Sequence, residues 1–146
     1  MIRLLIVDDH TIVREGLRLL FTTVSGVEVV GVAADGAAAV DQARVLAPDV
    51  VLMDLGMPAL DGVEATGRIV ARDPAVKVVV LTSYTDEERM LAALQAGALG
   101  YVLKHSEAAT VVRAVLAAYA GEAVLDPDAG RVLAAWRSRE PLPPSS

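Results

Sequence analysis

The sequence predicts an α/β fold, an open and doubly wound parallel sheet of five strands alternating with five helices. Three observations carry this expectation. Four short runs are near-continuous in β-branched or large apolar residues, as strands covered on both faces require: Ile2-Arg3-Leu4-Leu5-Ile6-Val7, Val50-Val51-Leu52-Met53, Val76-Lys77-Val78-Val79-Val80-Leu81 and Leu99-Gly100-Tyr101-Val102-Leu103. The segments between them carry apolar residues at spacings of three and four, the period of a helix with one buried face. A crossover helix between neighbouring strands makes those strands parallel, and it leaves helices on both faces of the sheet.

The elements follow in order. After the first strand, Ile12, Val13, Gly16, Leu17, Leu20, Phe21 and Val24 form one apolar stripe expected to cover that strand, and Gly26 stops the helix. A second strand spans Val27 to Ala33, with Glu28 early in it. Asp35-Gly36 then opens a helix through Leu46 that Pro48 ends. A third helix follows Asp61-Gly62 and stops near Asp73-Pro74. Thr85 and Glu88 make a capping box for a fourth helix, which carries Met90, Leu91 and Leu94 and stops at Gly97. Ser106 caps a fifth helix that runs to about Gly121 with Val111, Val112, Val115 and Leu116 inward. The last stretch differs. Asp126-Pro127 offers an N-cap and N1 pair, and Val132, Leu133 and Trp136 make a short stripe before Pro141-Leu142-Pro143-Pro144-Ser145-Ser146, which has the composition of a linker.

Composition narrows the function classes. At 146 residues and 54% hydrophobic, the chain can bury a substantial core in one domain with a segment left over. A net charge of −6 disfavours direct nucleic-acid binding, because a polyanion needs a basic face. With no cysteine, disulfide and thiolate chemistry are excluded. No charged leader precedes an apolar stretch, and no run approaches the roughly 20 apolar residues that span a bilayer. The expectation is a soluble, cytoplasmic chain without membrane partners.

Polar residues close the apolar runs. Asp8 and Asp9 end the first, Asp54 the second, Thr82 the third and Lys104 the fourth. Ligands of open parallel sheets gather outside the carboxyl ends of the strands. Three carboxylates, a hydroxyl and an ammonium converging there point to a divalent cation beside a phosphoryl group. Without the ion the carboxylates repel one another, so some are expected to hold their protons more tightly.

At this point the chain resembles a two-component response regulator receiver (CheY-like) domain over residues 1 to about 121. Ile6-Val7-Asp8-Asp9-His10 is similar to the acidic end of that family's first strand, and Met53-Asp54-Leu55-Gly56-Met57-Pro58 to its phosphoacceptor loop. Leu60-Asp61-Gly62 is similar to the opening of its third helix, Leu81-Thr82-Ser83 to its fourth-strand switch, and the stretch from Ala96 to Lys104 to its fifth strand. The resemblance implies a flavodoxin-like sheet with strand order 2-1-3-4-5. Within the family, Asp8-Asp9-His10, Gly100-Tyr101-Val102-Leu103-Lys104 and the Gly121 to Pro127 stretch most resemble the NarL/FixJ class, whose helix-turn-helix output domain is absent here. Residues 122–146 are then a short helix and linker toward that missing domain, and a cut at the linker is favoured over a stand-alone regulator.

The resemblance also implies roles. Asp54 would be the phosphoacceptor for a sensor histidine kinase, and Asp9, Asp54 and the Gly56 backbone carbonyl would hold Mg2+ or Mn2+, with Asp8 acting through water. Lys104 would bridge to a phosphoryl oxygen. Thr82 would turn its hydroxyl to another, emptying a volume that Tyr101 enters, and this pair would switch a surface that controls dimerisation or partner binding. Such a domain is not a turnover enzyme; its phosphotransfer and dephosphorylation are self-catalysed. Position 105 is His where many receivers have Pro, so a cis Lys104–His105 bond would cost about 3 kcal/mol. Gly56 leaves access to the acceptor open, and Ser83 is small.

Plainer readings stand beside these. Strand-end acids commonly cap the next helix, Thr82 is ordinary strand chemistry, Lys104 is an ordinary solvated lysine, and Tyr101 is more often core than switch. His10 reads as the surface start of a helix, and His105 as unremarkable. Trp136 is a packing or partner residue. A phosphatase of the haloacid dehalogenase type needs a second Asp where Gly56 stands, whereas a phosphorylation-independent interaction module would lack one of Asp9, Asp54 or Lys104. A flavodoxin-like cofactor binder is disfavoured by the acidic loop after the first strand.

Overall fold

The structure is a computed structural model that describes residues 1–57, 61–82 and 87–123. Thr85 of the expected capping box, Pro58, Leu60, Ser83 and the Asp126 to Trp136 stripe lie outside these residues. Ten elements alternate: β1(Ile2–Val7), α1(Thr11–Thr22), β2(Val27–Ala33), α2(Gly36–Leu46), β3(Val50–Asp54), α3(Gly62–Arg72), β4(Lys77–Thr82), α4(Glu87–Ala96), β5(Gly100–Leu103) and α5(Ala108–Tyr119). All pairings are parallel, and the sheet order is β2-β1-β3-β4-β5. This is the flavodoxin-like order that the family resemblance implies. Among the described residues no helix is long and apolar enough to cross a membrane.

Period-two alternation along the inner strands sorts the core into two layers. Leu5, Val7, Val51, Met53, Val78, Val80 and Tyr101 face α2, α3 and α4, where Ala39, Ala65, Ile69, Met90 and Ala93 meet them. Leu4, Ile6, Leu52, Val79, Leu81 and Val102 face α1 and α5, meeting Phe21, Val111, Ala114, Val115 and Ala118. Each inner strand is therefore buried on both sides, which is why its sequence is apolar throughout. The edge strand β2 is only partly covered, and exposed Glu28 there guards a free edge against pairing with another chain.

Several expected details are corrected. Ile12 is 87% exposed and Gly16 is also exposed, because with about 100° per residue they fall on a separate face from Leu17, Leu20, Phe21 and Val24. The helix α1 stops at Thr22, well before Gly26: the Thr22 and Thr23 hydroxyls donate to the Leu19 and Leu20 carbonyls and close its last turn. Gly26, with φ +86°, instead makes the turn into β2. On α5 it is Ala114 and Ala118, not Leu116, that join Val111 and Val115 inside. The N-cap of α5 falls at Glu107 rather than Ser106, because the Ser106 N–H closes a turn on the Leu103 carbonyl first. The Lys104–His105 bond is trans.

Two glycines carry opposite consequences. A Cβ on Gly62, at the start of α3, would meet the Asp54 carbonyl and come within 2.8 Å of the Leu55 Cα, both immovable backbone. A Cβ on Gly16 would meet nothing within 4 Å. Gly62→Ala is therefore expected to destabilise the fold by about 1–3 kcal/mol, and Gly16→Ala to stabilise it by about 0.5–1 kcal/mol. Urea denaturation of the two variants beside the parent checks both signs.

Candidate functional site

The strand registers bring the carboxyl ends of four strands level. Val7 pairs with Met53, Asp54 with Leu81, and Thr82 with Leu103. The ladder continues one step past the strands, with the N–H groups of Asp8, Leu55 and Lys104 donating to the carbonyls of Ala33, Leu81 and Thr82. Asp8, Asp54, Thr82 and Lys104 are thereby fixed by backbone pairing on one rim. Asp9 follows Asp8, and its side chain remains 27% exposed.

Asp54 is fully buried. Its Oδ1 accepts a hydrogen bond from the Gly56 N–H at 3.0 Å and lies 3.0 Å from the Lys104 Nζ, while its Oδ2 is buried without a hydrogen-bond partner. Asp8 is also fully buried; its Oδ1 accepts from the His10 N–H at 2.8 Å, and its Oδ2, 3.7 Å from Lys104, has no hydrogen bond. One potential ligand atom from each of Asp8, Asp9, His10 and Asp54 lies within 4.8 Å of all the others.

The charge balance explains the protonation behaviour. Burial pushes the Asp54 carboxyl above its ordinary pKa of 3.8 and the Asp8 charge adds to this; the Gly56 N–H and Lys104 oppose both. For Lys104, burial disfavours the ammonium, but its hydrogen bond to Asp54 and the charges of Asp54, Asp8 and Asp9 outweigh that and raise its pKa. Three carboxylates thus face one ammonium, and three buried carboxylate oxygens, Asp8 Oδ2, Asp9 Oδ1 and Asp54 Oδ2, have no hydrogen bond. That donor set fits a hard divalent cation, which this group of carboxylates would hold.

Thr82 is buried at the end of β4. Tyr101 is fully buried, in the inward position that the switch reading assigns to the phosphorylated state. Its hydroxyl has no hydrogen-bond partner of good geometry, and burial raises its pKa, which the Leu94 backbone partly offsets. Gly56 is exposed, and among the described residues a Cβ there would meet only Asp54 Oδ1 at 3.7 Å, an ordinary contact.

Two contributors, Arg14 and Arg89, escaped sequence reasoning, while His10 is the exposed start of α1 that the sequence led us to expect, with contacts beyond that reading. His10 stands in the acidic cluster, with its Nδ1 3.1 Å from both Asp8 Oδ1 and Asp9 Oδ1. Arg14, one turn into α1, donates to the Asp8 carbonyl at 2.7 Å. Arg89 reaches from α4 to donate to the Leu55 carbonyl at 2.6 Å, with Asp61 at 3.7 Å. The two arginines grip backbone, and nothing in a periodicity marks such a reach. The His10 signal was present, since the residue adjoins two acids on a strand-end loop.

The sign of the Asp54 shift gives a test. A carboxyl whose folded pKa is raised stabilises the fold fully below its unfolded value of 3.8 and loses that contribution as pH rises through the folded value. Ionised Asp54 therefore opposes folding at neutral pH. Asp54→Asn, which keeps the shape and removes the charge, is expected to melt above the parent at pH 7 in chelator, with the gap closing as pH falls toward 3.8. Thermal denaturation across that range decides it; an Asn variant no more stable than the parent at pH 7 contradicts dominance by burial.

The model of the response regulator receiver domain matches residues 4–116. Transcriptional regulatory protein LiaR of Bacillus subtilis is 44% identical over 138 residues, covering 94% of this chain and 65% of LiaR. The chain thus spans just under two thirds of that relative's length. A two-component response regulator of the LuxR family from an Aurantimonas species is 40% identical, with a TM-score of 0.87 over 95% of this chain and 99% of that one. The isolated receiver domain of RcsB from Salmonella enterica serovar Typhimurium, solved with the phosphomimetic BeF3−, is 28% identical, with a TM-score of 0.81 over 90% of this chain and 98% of its own. A family model that covers most of the chain, on a sheet with this order and this acidic rim, settles the affiliation: the chain belongs to the response regulator receiver domain family.

Proposed function

We propose that this receiver accepts a phosphoryl group on Asp54 from a phosphohistidine of a sensor histidine kinase and relays the event through a change of surface. The observation that carries the reading is the asymmetry of the Asp54 carboxylate. Its Oδ1 is occupied by Gly56 and Lys104, and its Oδ2 is buried without a partner. Oδ2 is then the lone-pair donor: an O–P bond forms on it, the donor's N–P bond breaks with its electron pair going to nitrogen, and the imidazole, protonated on its other ring nitrogen, leaves neutral. A magnesium or manganese ion held by Asp9, Asp54 and the Gly56 carbonyl, with Asp8 acting through water, would supply the positive charge that brings two anionic reactants together.

The chain's own residues do the rest. Lys104, already 3.0 Å from Asp54, turns its ammonium to a phosphoryl oxygen as the acceptor's charge moves outward. Thr82 offers its hydroxyl to a second oxygen, and Tyr101 in its inward position fills the space behind it. Water reaching the acyl phosphate past Gly56 returns the domain to its starting state, so the domain serves as a phosphoacceptor rather than a turnover enzyme. The output, in a cytoplasmic bacterial setting, is transcription through a DNA-binding domain that these residues do not include, with no direct nucleic-acid contact from this segment.

Intact mass after incubation with acetyl phosphate and magnesium is expected to gain one phosphoryl group. Asp54→Asn and a chelated control are expected to gain none. Absence of any gain with metal binding retained would favour a phosphorylation-independent interaction module.

Phosphorylation is further expected to drive homodimerisation. Leu116 and Tyr119, exposed on α5, give an apolar surface for a second copy. Sedimentation velocity over a range of concentrations checks this, and a phosphorylated form that stays monomeric throughout counts against it.

A further inference from the structure

His10 joins the acidic cluster instead of standing apart from it. Its backbone N–H ties down Asp8 Oδ1, and its Nδ1 sits 3.1 Å from Asp8 Oδ1 and 3.1 Å from Asp9 Oδ1. Its ligand atom lies within 4.8 Å of one from each of Asp8, Asp9 and Asp54. Nitrogen and oxygen atoms about 2.1 Å from one ion are at most about 4.2 Å apart. Small rotations of the exposed His10 and the part-exposed Asp9 therefore let a nitrogen join the Asp9 and Asp54 carboxylates around one ion, with Asp8 acting through water.

Clustered acids alone specify nothing, but a second observation points to a bound cation. Asp8 Oδ2 and Asp54 Oδ2 are buried without hydrogen bonds on side chains no more than 1% exposed, and a desolvated carboxylate oxygen is costly until positive charge meets it. Lys104 is the ammonium between them, and it is 3.7 Å from Asp8 Oδ2. The imidazole is 62% exposed, so it can turn on its χ angles without disturbing the core, and its outer nitrogen can keep its proton in water.

We infer that His10 supplies a nitrogen ligand to this centre, which makes it a mixed nitrogen and oxygen site that favours imidazole-preferring divalent ions over Mg2+. The inference rests on the receiver reading above and adds a selectivity to it. Mg2+ is a hard ion that prefers oxygen and holds its waters, so an imidazole contributes little to its binding. Co2+, Ni2+ and Zn2+ take imidazole readily and bind mixed sites more tightly in general. The consequence is a receiver whose occupancy depends on which divalent ion is available, with His10 setting the discrimination.

The test uses the full chain, Zn2+ and Mg2+. In protein labelled with 15N-histidine, Zn2+ is expected to shift the His10 Nδ1 resonance as coordinated imidazole does, and Mg2+ to leave it near its starting position. The chain has only two histidines, so His105→Ala assigns the signal and is expected to keep the shift. In titrations, His10→Ala is expected to lose at least about 10-fold in Zn2+ affinity and far less in Mg2+ affinity. Zn2+ binding with an unshifted His10, or with the shift on His105, overturns the inference and leaves the receiver reading intact. If neither ion binds, or if binding survives Asp9→Asn, the carboxylate site itself fails.

Discussion

Two carboxylates, Asp8 and Asp54, are driven out of water within reach of a single ammonium, and a third from Asp9 stands at the rim beside them. Folding pays for that arrangement from elsewhere, since desolvating an ionised group without full compensation costs several kcal/mol. The parallel sheet meets the cost with two apolar layers, each inner strand buried on both faces. Most of the chain therefore works to hold a small excess of negative charge in a dry place. A cation is then the natural complement, because it returns to those oxygens the interactions that burial removed.

Precision at the rim comes from backbone. The sheet ladder extends past β1, β3 and β5 through the N–H groups of Asp8, Leu55 and Lys104, so the functional side chains project from pinned positions rather than from loops. Gly62 lets α3 start directly against the Asp54 and Leu55 backbone. Arg14 and Arg89 hold the carbonyls of Asp8 and Leu55 from opposite faces of the sheet. Through Arg89 the helix α4 is tied to the loop that follows Asp54, so displacement of either is transmitted to the other through a charge-assisted hydrogen bond.

The sheet and much of the rim were legible in the sequence because both depend on short-range patterns. A strand buried on two faces must be apolar throughout, and residues one step beyond its carboxyl end must share a rim; Asp8, Asp54, Thr82 and Lys104 followed from that alone. Which helix face lies inward was less legible. Leu116 and Ile12 are as apolar as their buried neighbours, and only the packing angle decides that Ala114 and Phe21 go in while they stay out. Arg14 and Arg89, and the acidic contacts of the otherwise expected helix start His10, were missed for a different reason. Their partners are backbone atoms or residues brought near by a turn, and such contacts leave no period to detect. Tyr101 was only half legible: the aromatic at position 101 could be named, but its inward setting is a property of the packed core.

The open ground around Gly56 has an evolutionary meaning. Among the described residues, a Cβ added there would meet only the Asp54 carboxylate, at ordinary van der Waals distance, so a small side chain meets little resistance from them. Most changes beside a buried charged site put stability at risk, whereas the described surroundings of this one leave room for a Cβ. A lineage can thus change the residue beside the Asp54 carboxylate by drift at one position, without re-engineering the core that supports the rim.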